Sequence, residues 1–493
     1  MTDLSQELDK VCEELEQVEH KIQDLLDVQN KLLQKKVHLK HLIQDEARKN
    51  KSKDWGKSDF SWSKRLSELQ SSVFGLNTFR PLQLQTMNAT LSREDCILIM
   101  PTGGGKSLCF QLPALVSEGI TLVVSPLVSL MEDQVMALER IKVQAVMLNA
   151  SSSKEHMKYV HDNMVRAACP FKMLYVTPEK IAKSKRFMAK VERMYEAGLF
   201  ARLVIDEVHC CSQWGHDFRP DYKFLGVMRR QFPGVPILGL TATATSNVLQ
   251  DVKQILGIRG CLLFRASFNR KNLFYEVHTK PPGLKNSAAE IHKLINSRFT
   301  GQSGIIYCMT QKDTEEVAKE LQLNGIKAFC YHAKMDASHR SKTHLRWINN
   351  DIQVVVATIA FGMGIDKPDV RFVIHHSISK SMENYYQESG RAGRDDGKAY
   401  CILYAGFSDI SRQSTMVFTE QTGLEKLYGM VEYAYDMGRC RRTLIARHFG
   451  ECWDSAQCDE MCDQCNPKSG SSSSSLKDVT EVCRDVITVL EKC

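Results

Sequence analysis

A chain of 493 residues exceeds one ordinary domain, so two or three are expected. With 43% hydrophobic and 25% charged residues it has a globular composition with sizeable cores, and its net charge of +7 leans only mildly towards a polyanionic partner. No run reaches the roughly 18 uninterrupted apolar residues of a membrane span, no targeting signal opens the chain, and 17 scattered cysteines suit free thiols plus a metal cluster better than a disulfide framework.

In chain order, the first element is a heptad seam: Leu4, Leu8, Val11, Leu15, Val18, Ile22, Leu25, then Leu32, Leu39 and Ile43, interrupted at Gln29 and Lys36. Steps of three and four predict a coiled-coil helix over residues 1–50, about 60 Å long, that joins copies of the chain into a homo-oligomer. The alternative is a long helix folded back on its own protein. Residues 47–63 are polar and read as a linker.

Apolar runs then alternate with helical-period segments up to about Ser408. They are Cys96–Met100, Thr121–Val124, Leu174–Val176, Leu203–Ile205, Ile237–Leu240, Gly304–Tyr307, Val354–Val356 and Phe372–Ile374. Continuous apolar strands between amphipathic helices predict an α/β protein with parallel sheets covered on both faces. The length fits two tandem domains, 51–268 and 269–408. A cysteine-rich segment, 409–467, follows. Residues 468–493 read as a Ser-rich linker and a short amphipathic piece.

The strand Cys96–Met100 runs into Pro101-Thr102-Gly103-Gly104-Gly105-Lys106-Ser107. Such a loop turns successive N–H groups towards phosphate oxygens, with Lys106 reaching the β/γ-phosphates and Ser107 holding Mg²⁺. Alone it could be an ordinary Gly-rich turn. A second strand, Leu203–Ile205, ends in Asp206-Glu207-Val208-His209. Carboxylates at the end of a buried strand sit where α/β sheets bind ligands; Asp206 would order the Mg²⁺ shell and Glu207 polarise the attacking water. Gly390-Arg391-Ala392-Gly393-Arg394 in the second domain offers Arg391 and Arg394 to the transferring phosphate, though a surface salt bridge is the plainer use of either. Thr241-Ala242-Thr243-Ala244 fits a coupling element between nucleotide and polynucleotide sides.

Two more constellations stand out. In Ser212-Gln213-Trp214-Gly215-His216-Asp217-Phe218-Arg219-Pro220, Trp214 and Phe218 can stack on bases while His216 and Arg219 meet a backbone; Gln213 belongs to the same surface. Core packing of the two aromatics is disfavoured by the Gly, Asp and Pro among them. Cys440, Cys458, Cys462 and Cys465 offer four thiolates for a structural Zn²⁺, with Cys452 a bystander.

Together with Phe79-Arg80-Pro81-Leu82-Gln83, Val124–Leu130 and Ala357–Pro368, these motifs resemble superfamily-two helicases of the RecQ family over about Trp62 to Cys465. The resemblance implies two RecA-like domains and a helical zinc-binding subdomain. It implies Gln83 on the adenine edge, Arg80 stacked on the base, and Gln387 among the nucleotide-binding residues. Leu76 stands where an aromatic often packs the adenine. It also implies that the aromatic loop reports bound DNA to the ATP site. The activity expected is ATP-dependent 3′-to-5′ translocation along single-stranded DNA with unwinding of forked duplexes, and that substrate points to the nucleus. The chain reads as stopping at the first helix of a winged-helix domain, so a translocase or strand-annealing protein with weak unwinding is the alternative.

Overall fold

The computed structural model describes residues 53–466, except 216, 360 and 362–366, and isolated positions further on. The heptad segment, most of the 468–493 segment, His216 and the stretch from Gly362 to Asp366 therefore lie outside the described residues.

Among the described residues, thirteen strands form two sheets. The first holds β1 (Cys96–Ile99), β2 (Ile120–Val124), β3 (Ala145–Leu148), β4 (Met173–Val176), β5 (Phe200–Ile205), β6 (Ile237–Thr241) and β7 (Leu262–Arg265), in the order β3-β4-β2-β5-β6-β1-β7. The second holds β8 (Leu273–Thr279), β9 (Gly304–Tyr307), β10 (Ala328–Tyr331), β11 (Val354–Ala357), β12 (Phe372–His375) and β13 (Ala399–Ala405), in the order β10-β11-β9-β12-β13-β8. Every pairing is parallel. The chemistry of the central strands explains this: β1, β2, β4, β6, β9, β11 and β12 are buried along their whole length, so helices must cover both faces.

All eight apolar runs read from the sequence are strands, and five strands escaped that reading. Four of the five, β3, β7, β8 and β10, are sheet edges. With one flank open they carry partly exposed or polar residues, as in β7, where no residue is fully buried. The fifth, β13, mixes Tyr, Cys and Ala with its aliphatic residues.

Strand order positions the site. β5, β6 and β1 are neighbours, so the turns after their carboxyl ends lie side by side. Those turns carry Asp206 and Glu207, the Thr241–Ala244 segment, and the glycine loop. Between sheets runs the link from Ala266 to Asn272, pinned by aromatic packing. Phe268 is buried, stacks on Phe449 at 4.3 Å, and lies edge-on to Tyr386, whose hydroxyl donates to the Phe268 carbonyl at 2.8 Å.

The region after β13 is helical: Phe407–Val417, Gly423–Tyr435 and Arg441–His448, then a 3₁₀ turn, Ser455–Cys458. It seals the open edge of the second sheet. Asp463 N donates to the Tyr275 carbonyl and Tyr275 N to the Met461 carbonyl, extending β8 by one bridge at Cys462. Buried Arg441 grips Asp463 through two bonds, at 2.8 and 3.0 Å, and Asp463 also accepts from Val277 N. A lone charge would be costly there; a doubly bonded pair with further backbone partners is tolerated.

Candidate functional site: a nucleotide pocket between two lobes

The glycine loop is preformed. Gly105 has φ +87°, and a Cβ there would lie 2.5 Å from Gln83 Nε2, so only glycine allows this approach. Gln83 is buried, donates to the Gly105 carbonyl at 3.0 Å and accepts from Arg80 N at 2.8 Å. Arg80 bonds the Gly103 carbonyl, while Leu76 beside this corner is exposed. Arg80 and Gln83 thus hold the loop's backbone, a contact the sequence did not announce. Thr102, Gly103, Gly104, Gly105, Lys106 and Ser107 follow β1 as expected, with Ser107 directly before the helix Leu108–Val116 and making no side-chain capping bond to it.

Lys106 is half-buried and donates to the Met100 carbonyl at 3.1 Å. Burial lowers its pKa, opposed by the charges of Glu207 and Asp206. Across from it, burial and then the neighbouring Glu207 push Asp206 up to about 7, with Lys106 pulling the other way. Glu207 is also raised by burial. Two adjacent carboxylates whose pKa values stay raised despite Lys106 suit a site that takes a cation. Glu207 has φ +48°, a left-handed conformation that costs a β-carbon residue about 1–3 kcal/mol. It starts the 3₁₀ turn Val208–Cys211, and Glu207 N closes on Asp206 Oδ1 at 3.0 Å.

His209 joins the carboxylates to the threonine segment. Its Nδ1 lies 2.8 Å from Thr241 Oγ1 and 3.3 Å from Glu207 Oε2. Burial, then Lys106, depress its pKa to about 3, so the ring is neutral. Thr241 Oγ1 in turn donates to the Thr243 carbonyl at 2.9 Å. The coupling element read from the sequence is therefore bonded to the acidic turn.

The second lobe closes the pocket. Arg394 lies against the glycine loop: a Cβ on Gly103 would come 3.0 Å from Arg394 Cγ. Its charge acts on Lys106, and that of buried Arg391 acts on Glu207. Gln387 and Arg391 line an adjoining cavity of about 810 Å³ with Pro126, His209, Asp217 and Arg219; its walls do not include the glycine loop, Asp206 or Glu207, so Gln387 is not brought onto the phosphate loop. Sequence reasoning missed the residue that ties the halves together. Arg270 Nη1 donates to the Thr102 carbonyl at 2.9 Å and to Gly390 at 3.3 Å; Nη2 donates to Ala392 at 3.3 Å and Gly393 at 2.9 Å. Arg442, in the helix Arg441–His448, bonds Asn269 and the Arg270 and Leu273 carbonyls.

The aromatic loop leaves the same 3₁₀ turn. Trp214 is 50% exposed, Gln213 is exposed, and Phe218 is half-buried. Gly215 must be glycine, since a Cβ would sit 2.5 Å from the His209 carbonyl. Arg219 is committed to Asp217 at 3.3 Å and to the Pro126 carbonyl at 2.8 Å, at the lip of the cavity.

Cys440, Cys458, Cys462 and Cys465 bring their sulfurs within 4.8 Å of one another, and Cys452 is exposed outside the group. Cys458–Cys462 and Cys462–Cys440 are 3.7 and 3.8 Å apart. Tetrahedral zinc with Zn–S near 2.3 Å requires about 3.8 Å between sulfurs, so the donor set fits that ion.

Comparison with known proteins agrees with this geometry. Residues 80–252 match the DEAD/DEAH box helicase family, 286–396 the helicase conserved C-terminal domain, and 407–466 the RecQ zinc-binding family. The chain is 55% identical to mouse ATP-dependent DNA helicase Q1 over 99% of its length and 76% of the relative's. It is 54% identical to a Caenorhabditis elegans protein described as a putative ATP-dependent DNA helicase Q1, covering 89% of this chain and 70% of that one. Two solved structures share the fold: the DUF1998 helicase MrfA bound to DNA (TM-score 0.58, 16% identity, covering 81% of this chain and 60% of that one) and the DEAD-box helicase Mss116 bound to ssRNA (0.55, 18%, 71% and 74%). Two RecA-like lobes facing one phosphate loop define a superfamily-two helicase motor. The four-thiol module and the extended identity narrow this further: the chain belongs to the RecQ family of helicases.

Proposed function

We propose that this chain hydrolyses ATP in the interlobe pocket to move 3′-to-5′ along single-stranded DNA and part forked duplexes. The observation that carries the reading is the contact of Arg394 with the glycine loop, tied by Arg270, beside a loop that exposes Trp214. Each lobe holds half of the phosphate-transfer machinery, so turnover follows lobe closure, and closure can be biased by a strand lying across both lobes.

The roles follow from position. Main-chain N–H groups of Gly103 to Ser107 cradle the phosphates, and Lys106 gives up the Met100 carbonyl to meet the β/γ-phosphates. Ser107 and Asp206 would hold Mg²⁺, which when bound neutralises charge on the transferred phosphate. Glu207 orients the attacking water. Arg391 and Arg394 stabilise the charge that develops in the transition state. Neutral His209, bonded to Thr241, transmits a shift of the acidic turn to the DNA side. Trp214 and Phe218 supply stacking worth about 1–3 kcal/mol per base.

Self-association through the heptad seam and a nuclear location complete the proposal; the first is supported by the sequence pattern and the second by the DNA substrate. Strand displacement tests the central reading. A duplex with a 3′ single-stranded tail should be unwound and one with a 5′ tail should not, with ATP turnover raised by single-stranded DNA more than by RNA. Equal displacement from both tails would contradict the polarity, and RNA as the better activator would contradict the substrate.

A further inference from the structure

The helix Gly423–Tyr435 of the zinc module reaches across to the first lobe at one point. Lys426 Nζ donates to two successive main-chain carbonyls of the aromatic loop, Trp214 at 2.9 Å and Gly215 at 3.0 Å. A hydrogen bond from a charged donor to a backbone acceptor is among the stronger single contacts available to a loop, and here two converge on one ammonium. Because the acceptors belong to the main chain, they fix the course of the loop and leave the Trp214 ring free to face a base.

That point of contact is mechanically close to the nucleotide. Trp214 N bonds Ser212 Oγ at 3.2 Å and Gly215 N bonds the Ser212 carbonyl at 3.0 Å. Gly215 also packs on the His209 carbonyl closely enough to exclude any side chain. His209 touches both Glu207 and Thr241. A displacement of the loop at Lys426 is therefore passed to the acidic turn through a few short, rigid links. The other end of the same module is anchored by the four thiols and by Arg441 on Asp463.

We propose that Lys426 is a positioning residue through which the zinc module holds the Trp214 loop in the arrangement that couples DNA binding to ATP turnover. The proposal rests on the reading that this loop engages DNA. It assigns the module a part in coupling as well as in folding.

The test is ATP turnover titrated with a single-stranded oligonucleotide, for the full chain carrying Lys426→Met, Lys426→Arg, Trp214→Ala and the Lys426→Met/Trp214→Ala pair. Lys426→Met should need at least about tenfold more DNA for half-maximal stimulation, the scale of one charge-assisted hydrogen bond. It should keep its full zinc content. Lys426→Arg, which restores donors, should recover most of the loss. If Lys426 acts through the loop, the pair should be no worse than Trp214→Ala alone. A wild-type titration for Lys426→Met, or losses that add in the pair, overturns the proposal. Should Trp214→Ala itself titrate like wild type, the underlying reading of the loop fails, and this proposal with it.

Discussion

Arg270 shows how much of this site is carried by a side chain bonded to main-chain carbonyls. Its guanidinium meets four main-chain carbonyls, one in the glycine loop and three in the arginine-bearing turn. Removing it breaks a direct tie between the glycine loop and the arginine-bearing turn. Bonds to a charged group are worth about 1.5–3 kcal/mol, so Arg270→Ala should lower kcat for DNA-stimulated ATP hydrolysis by roughly tenfold to a hundredfold, with a smaller change in KM for ATP. Steady-state kinetics check this. A second residue contributes to acid sensitivity, as buried His209 also does. Burial depresses the pKa of His376, bonded to Ser287 Oγ at 2.8 Å, to about 3. Its unfolded value is about 6.5, so the unfolded chain takes up the proton first as pH falls. The stability owed to this group is complete above about pH 6.5 and is lost progressively towards pH 3. His376→Gln should therefore flatten the fall of Tm between pH 7 and 5, measured by thermal melting. Lys106, Asp206, Glu207 and the four zinc thiols were legible in the sequence because their chemistry requires those residue types. Arg270 and Lys426 were not, because a donor to backbone carbonyls needs no partner residue type and leaves no motif.

Among elements, the zinc module does more than staple itself. Cys462 and Asp463 complete the edge of the second sheet, Arg442 holds the interlobe link, and Phe449 stacks on Phe268 within it. Zinc binding in such modules contributes on the order of 10 kcal/mol to folding. Stripping the metal with a strong chelator should expose the chain after Arg439 to protease and should also slow ATP turnover, since the link that carries Arg270 loses its clamp. Limited proteolysis read alongside turnover would show both; protection unchanged by chelation would count against the site. The same elements explain which strands could be seen in advance. Buried central strands announce themselves as apolar runs, whereas β3, β7, β8 and β10 have one open flank, and their residues follow local packing instead of a pattern.

At the scale of the whole molecule, two α/β lobes bring their catalytic halves together at facing loops. The parallel sheets followed from the alternation of apolar strands and helical segments. The contact of Arg394 with Gly103 did not, because no local signal encodes how two lobes face one another; the sequence offered Arg394 to the phosphate but not this contact with the loop. The central claim is that DNA drives this pocket through its cycle, and the most direct test is ATP turnover by the purified chain with and without single-stranded DNA, beside Lys106→Ala. Turnover should rise at least tenfold with DNA, as expected of a step gated by domain closure, and fall to background in the variant. Turnover indifferent to DNA, or undiminished without the Lys106 ammonium, would contradict the account.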